Sequence, residues 1–118
     1  MNERLKELLI SKAKELDWKV EIDEHCWEFQ KYSPAGEDFW FGVNGDDIVA
    51  EVLEYYETFD PEDHVMGLME AKKNGLSGVP RLKELVEDAD NIEKMIEDLY
   101  DALHEVETKY YEEDNDDE

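Results

Sequence analysis

Cysteine and proline are scarce in this chain of 118 residues, which has one cysteine and three prolines. The single cysteine, Cys26, cannot form a disulfide within the chain or supply a cysteine-based zinc cluster, and such usage is typical of a reducing compartment. The first residues lack the basic start and apolar core of a secretory signal, and no apolar run approaches the roughly 18 residues of a membrane span. We therefore expect a cytoplasmic protein with no membrane partner.

Basic residues are also scarce: 12 Lys and Arg stand against 35 Asp and Glu, a formal net charge of −23. That magnitude is far above the value of about 2–8 that keeps a small domain soluble. An acidic surface repels nucleic acid and anionic membranes, so direct binding to either is disfavoured and basic partners are favoured. Adaptation to high salt or a bias of the source proteome would produce the same composition, and this alternative stays open.

The apolar content is sufficient for a folded domain, since 41% of the residues are hydrophobic and 11% are aromatic. Disordered acidic segments are poor in both classes. The length fits one domain, because two independent cores would each be small. We predict a single α+β domain over residues 1–111, followed by an acidic tail over 112–118 that frays.

The first half of the chain changes from helical to strand periodicity. Apolar residues recur at spacings of three and four from Glu3 to Leu16, which predicts an amphipathic helix. Apolar and polar residues then alternate over 18–22 and 27–32, as they do in strands with one buried face, and residues 39–43, which follow a turn at 33–36, are predicted to form a third strand. We expect these three segments to form an antiparallel sheet after the first helix.

The second half of the chain is predicted to be helical. Asp47 precedes a helical pattern that continues to Phe59, and Asp60 with Pro61 is a typical helix start, which Asn74-Gly75 would end. Apolar residues over 82–106 then keep three-four spacing for about seven turns. The expected fold is therefore α+β: an N-terminal helix, a three-stranded antiparallel sheet and a helical C-terminal half that ends in one long helix.

The negative charge is concentrated in two blocks. Residues 37–70 contain 11 acids and no base, and residues 84–118 contain 16 acids and two bases. In both blocks the acids fall opposite the apolar side of a predicted helix. In the last block a net charge of −14 over 35 residues gives about one charge per 4 Å of helix, close to the 3.4 Å per phosphate of one DNA strand. The candidate partner-binding residues are Asp47, Glu51, Glu54, Glu57, Glu87, Asp90, Glu97, Asp98, Asp101 and Glu105.

A solvated helix surface is the alternative interpretation of these acids. Ordinary surface helices offset repulsion with acid-base pairs four residues apart, and in the last helix Asp90 and Lys94 supply almost the only such pair. This scarcity of pairs favours a binding function over simple solvation.

No residue pattern predicts catalysis, a cofactor or a metal site. His25, His64 and His104 are far apart in the sequence, and none belongs to a metal-binding motif such as HExxH. Carboxylate pairs are uninformative in a chain with this many acids. We therefore expect a protein that is not an enzyme and holds no cofactor.

The aromatic residues and Cys26 are expected in the core. A base-stacking platform is the alternative for the aromatic rings, but the surrounding negative charge opposes nucleic acid. The aromatic residues in question are Trp18, Trp27, Phe29, Trp40, Tyr55, Tyr56 and Phe59.

Three short strings, at residues 59–64, 71–75 and 78–89, resemble a family of short acidic proteins of unassigned activity carried by phages and mobile elements of Firmicutes. In composition and size the chain is similar to DNA-mimic inhibitors of the anti-CRISPR and antirestriction type. This similarity implies an inhibitor whose acids occupy the basic, nucleic-acid-binding surface of a nuclease such as a CRISPR effector or restriction enzyme. The alternative is a small adaptor or regulatory subunit that uses an apolar helical surface to bind a host protein or to form a homodimer.

Overall fold

The computed structural model describes residues 3–44, 47–73 and 82–116. Its elements in chain order are α1 (Glu3–Glu15), β1 (Lys19–Asp23), β2 (Cys26–Tyr32), β3 (Asp38–Asn44), α2 (Ile48–Thr58), α3 (Pro61–Lys73) and α4 (Leu82–Asp116). The predicted α+β class and the order of its elements are confirmed. The predicted helix end at Asn74-Gly75 lies outside the described residues, and α4 includes residues 112–116 of the acidic run. Among the described helices, none is both long enough and apolar enough to cross a membrane.

A left-handed residue connects α1 to the sheet. Asp17 has φ 70°, and the backbone N–H of Trp18 donates to the carbonyl oxygen of Ala13 at 3.0 Å. The N–H of Asp17 donates to the carbonyl of Lys14, also at 3.0 Å, so that both bonds of a Schellman helix end are present. This turn places the Trp18 ring in the core just before β1 begins.

The three strands form one antiparallel sheet in the order β1-β2-β3. Alternate residues of β2 and β3 point to an inner face, which meets the helices, and to an outer face. In β3 this alternation is complete, because exposed and buried residues alternate from Asp38 to Asn44. The buried residues of the inner face are Trp27, Phe29, Phe39, Phe41 and Val43.

Helices α1 and α2 contact both the sheet and α4: α1 contacts β1 and α4, and α2 contacts β3 and α4. The central part of α4 completes this core with four fully buried residues, Ile92, Ile96, Leu99 and Leu103. A second, smaller cluster joins Val65 of α3 to Leu85 and Ala89 near the start of α4. The resulting molecule is elongated, with Cα extents of 60 × 26 × 22 Å.

Asp88 ties α4 to the turn between β2 and β3. Its Oδ2 accepts a hydrogen bond from Ser33 Oγ at 2.6 Å, and its Oδ1 accepts one from the N–H of Ala35 at 3.0 Å. Ser33 Oγ in turn accepts from the N–H of Glu37 at 3.0 Å. Asp88 is a buried acid, and its position is explained by these bonds.

Removal of this carboxylate should destabilise the fold. We expect Asp88→Ala to lower the free energy of unfolding by about 2–3 kcal/mol, because two hydrogen bonds to a charged group are lost and a buried hydroxyl loses its acceptor. Urea denaturation followed by circular dichroism measures the change. Asp90→Ala is the matched control, since Asp90 is exposed on the same helix, and it should change stability by less than about 0.5 kcal/mol. Equal effects of the two substitutions would contradict this account of Asp88.

Candidate functional site

The acids predicted on α4 lie on its solvent side. Glu87, Asp90, Asp98, Asp101 and Glu105 are exposed, and Glu97 is half-buried at the edge of this group. We call these six residues the α4 acidic strip. The buried residues of the central part of α4 lie on the opposite side of the helix. From the first to the last member, the strip extends over about 27 Å at 1.5 Å per residue.

The acids predicted on α2 differ in exposure and in role. Glu54 and Glu57 are exposed, whereas Glu51 is half-buried. Asp47 caps the helix, because its Oδ1 accepts a hydrogen bond from the N–H of Ala50 at 3.3 Å. An aspartate at this position stabilises a helix start, so Asp47 has a structural role whether or not it also contacts a partner.

The structure joins the two groups of acids through Tyr56 of α2. Its hydroxyl donates a hydrogen bond to Oε2 of Glu97 at 2.6 Å. Nearby, the carboxylates of Glu97, Asp98 and Asp101 offer oxygens that all lie within 4.8 Å of one another. These three groups are of the type that binds divalent cations, but the ammonium group of Lys94 already lies 3.0 Å from Glu97 and 2.9 Å from Asp98.

These contacts favour the charged forms of Glu97 and Lys94. The hydrogen bond from Tyr56, followed by the hydrogen bond and charge of Lys94, lowers the pKa of Glu97 below its usual value. The hydrogen bonds to Asp98 and Glu97 raise the pKa of Lys94. Glu97 is therefore ionised at neutral pH, and its oxygens already have two donors before any partner arrives.

The expected scarcity of acid-base pairs on α4 is wrong for half of the strip. Lys94 pairs with Glu97 and Asp98 instead of Asp90, and Lys109 lies 2.8 Å from Glu105, whose pKa this contact lowers. Both lysines are exposed, and exposed ion pairs contribute little to stability. The pairs can therefore be exchanged for pairs with a partner at small cost. Within the described part of the chain, the other three members, Glu87, Asp90 and Asp101, have no ion pair.

Glu107 lies outside the strip, where α4 passes the start of α2. Partial burial raises its pKa above the usual value, the charge of Asp47 raises it further, and His104 opposes these effects. A carboxyl group whose pKa is raised by folding binds protons more tightly in the folded chain than in the unfolded chain. Its charge therefore opposes folding at neutral pH, and this penalty disappears as the pH falls below its unfolded value of about 4.3.

We predict that Glu107→Gln makes the protein slightly more stable at pH 7 and that this gain disappears near pH 4. Urea denaturation at both pH values measures the effect. Because the net charge is strongly negative, removal of any acid relieves some repulsion, so Glu112→Gln at an exposed position of α4 is the control. An equal gain in stability of both variants at pH 7 would contradict the prediction.

Two expectations about core residues are wrong, and both concern the outer face of the sheet. Trp40 is 62% exposed, although the other aromatic residues predicted in the core are buried or half-buried. Cys26 is exposed as well. Since Phe39 and Phe41 occupy the inner face, strand alternation forces Trp40 to the outer face, where it lies with Tyr32. Once residues 39–43 are taken as a strand, the alternating direction of its side chains could have identified Trp40 as exposed.

The three histidines do not form one site. His64 Nε2 lies 2.9 Å from Oε2 of Glu37, and its ring contacts the ring of Phe59. His104 lies beside Tyr100 on α4, and His25 lies in the turn between β1 and β2. Each histidine therefore has a different environment.

Comparison of the chain with protein-family models, with curated proteins and with solved structures finds no match. The resemblance to acidic proteins of phages and mobile elements therefore stays a prediction, and the residues themselves carry the functional argument.

Proposed function

We propose that this protein is a DNA-mimic inhibitor, which places its acidic helical surface in the nucleic-acid-binding site of a nuclease such as a CRISPR effector or a restriction enzyme. The observation that carries the proposal is the α4 acidic strip, in which five exposed carboxylates and one half-buried carboxylate follow one side of an unbroken helix of 35 residues.

The charge density of the strip supports this proposal. Six carboxylates over about 27 Å are separated by about 5 Å on average, compared with 3.4 Å between phosphates along one DNA strand. The strip alone therefore reaches about two thirds of the linear density of a DNA strand. Glu54 and Glu57 of the adjacent helix α2 add exposed negative charge.

The mechanism is competition and includes no chemical step. Lysine and arginine side chains that normally contact phosphates would contact carboxylates instead, and charge-assisted hydrogen bonds to arginine would fix the register. The net charge of −23 attracts a basic partner over long distances, and added salt screens this attraction. The exposed acids of the strip do not hold the core together, so their replacement should remove binding without unfolding the protein.

Reversal of charge in the middle of the strip tests the proposal. We expect the triple substitution Asp98→Lys, Asp101→Lys and Glu105→Lys to abolish inhibition of DNA cleavage, because basic groups of the nuclease would then face lysines. Cleavage assays with a panel of purified CRISPR effectors and restriction enzymes, with and without the protein, measure inhibition by wild type and variant. Circular dichroism verifies that the variant is folded.

The matched control replaces Glu3, Glu7 and Glu15 with lysine. These three acids are exposed on α1, so the change in net charge is the same but its location differs. The control variant should keep most of the inhibition. Loss of inhibition in both variants would show that net charge alone matters, and full inhibition by the α4 variant would exclude the strip as the binding surface.

A second candidate function, that of an adaptor or regulatory subunit, is favoured by one specific observation. Met66 and Met69 of α3 and Val86 of α4 are exposed, and their helices pack together through the smaller apolar cluster. An apolar surface of this kind would suit a host protein or a second copy of the chain. Salt separates the two functions, because apolar binding survives about 0.5 M sodium chloride, whereas binding through charge does not.

A further inference from the structure

The outer face of the sheet contains an open cleft of about 410 Å³ with aromatic and acidic walls. Trp40 of β3 and Tyr32 of β2 are its aromatic residues, and they are 62% and 64% exposed. Glu21 of β1 and Glu28 of β2 contribute carboxylates. The cleft lies on the sheet and is separate from the α4 acidic strip.

Strand register places carboxylates on two sides of the Trp40 ring. Trp40 pairs with Gln30, so Glu28 and Tyr32 are its diagonal neighbours on β2, a relation in which residues lie about 7–8 Å apart. Asp38 precedes Trp40 by two residues on β3 and points to the same face. A flat cation above the indole ring could therefore reach a carboxylate while it stacks.

The cleft also contains an unfavourable pair of charges. Glu21 and Glu28 lie directly opposite each other across β1 and β2, and like charges in that position destabilise a sheet. Lys19 offsets part of the repulsion, because its Nζ lies 3.7 Å from Glu21. Glu28 has no ion pair within the described part of the chain. A bound cation would relieve this repulsion.

Gly42 keeps the space beside Glu28 open. The two residues pair across β2 and β3, so Gly42 faces the outer side of the sheet. A Cβ at this position would lie 3.5 Å from Cys26 Sγ and 3.7 Å from the carbonyl oxygen of Trp27, which are ordinary contacts. Packing within the chain therefore does not require glycine at this position. Because glycine weakens a strand, and because glycine in a strand often marks the close approach of a ligand, its presence here favours a binding site.

We propose that this cleft binds an arginine side chain of a basic partner protein, with the guanidinium group stacked on Trp40 and hydrogen-bonded to Glu28. Arginine combines a planar cation, which stacks on indole, with a fork of N–H donors that suits carboxylates. Quaternary ammonium groups are instead bound by cages of several aromatic rings. The negative cleft and the net charge of −23 complement a basic segment. This inference goes beyond the proposed function, because the partner need not be a nuclease.

Nuclear magnetic resonance of the full chain labelled with ¹⁵N tests the proposal. The probes are three capped tripeptides, Gly-X-Gly, in which X is arginine, lysine or the neutral analogue citrulline, in about 150 mM sodium chloride to screen diffuse attraction. The arginine peptide should shift the indole N–H signal of Trp40 and the amide signals of β2 and β3. The signals of the buried Trp18 and Trp27 indoles should move little. The lysine and citrulline peptides should bind at least about fivefold more weakly.

Two variants locate the contact, and a third variant serves as the control. Trp40→Thr retains a strand-forming residue and removes the ring, so the affinity for the arginine peptide should fall at least about tenfold, as followed by the amide of Gly42. Glu28→Gln should reduce the affinity for the arginine peptide about threefold to tenfold. This variant still tests the proposal if Trp40→Thr does not fold. Glu7→Gln on α1 removes one exposed acid far along the chain from the cleft and should leave the affinity unchanged.

The inference would be overturned by equal binding of the lysine peptide, by unchanged affinity in Glu28→Gln, or by signal changes on α4 instead of on the sheet. With tetramethylammonium as a fourth probe, tighter binding than that of the arginine peptide would also overturn it, because the cleft would then prefer a small organic cation. The triple lysine variant of α4 should respond to the arginine peptide like wild type. Failure of the inhibitor proposal and failure of the arginine cleft are therefore distinguishable.

Discussion

The apolar side of α4 is the surface on which the described helices assemble. Helices α1, α2 and α3 all contact α4, and α1 and α2 also contact the sheet. The larger core uses the central part of the helix, and the smaller cluster uses its start. Because these contacts occupy one side of α4, most residues of the opposite side are exposed and can be charged; Glu97, which accepts the hydrogen bond from Tyr56, lies at its edge.

Repulsion among these negative charges opposes folding. A net charge of −23 destabilises a compact state, and the chain shows three ways in which the cost is reduced. Acids lie on the outside of long helices, where water screens them. Asp88, which is buried, accepts two hydrogen bonds, and Asp47 caps a helix. Lys94 and Lys109 offset the charge of three members of the strip. The residual repulsion is the part that a basic partner would relieve.

The fold could be predicted from the sequence because its periodicities are long and distinct. Three-four spacing predicted α1 and α4, alternation predicted the first two strands, the segment after the turn at 33–36 predicted the third strand, and Asp60 with Pro61 predicted the start of α3. Side-chain exposure was harder to predict where apolar residues occur on both sides of a strand. Trp40 was assigned to the core because it is hydrophobic, and only the alternation of side chains along a strand separates it from its buried neighbours Phe39 and Phe41.

The acidic surface was only partly predictable. A helical wheel assigns acids to the outer side of α4, and five of the six are exposed. The wheel does not show which acid each lysine contacts, because residues three and four positions away are equally near. It also does not show contacts between helices, so the hydrogen bond from Tyr56 to Glu97 and the interaction of Asp47 with Glu107 required the packed structure.

We propose that the exposed acids of α4 form a contact surface for a basic nucleic-acid enzyme. The most direct measurement uses wild type and the Asp98→Lys, Asp101→Lys, Glu105→Lys variant as parallel baits in host lysate at low salt, followed by elution with increasing sodium chloride and identification of the eluted proteins. The account predicts that a nuclease leaves the wild-type bait at moderate salt and is not retained by the variant. Retention of the same proteins by both baits would contradict the account. Recovery only of partners that stay bound at high salt would contradict it as well.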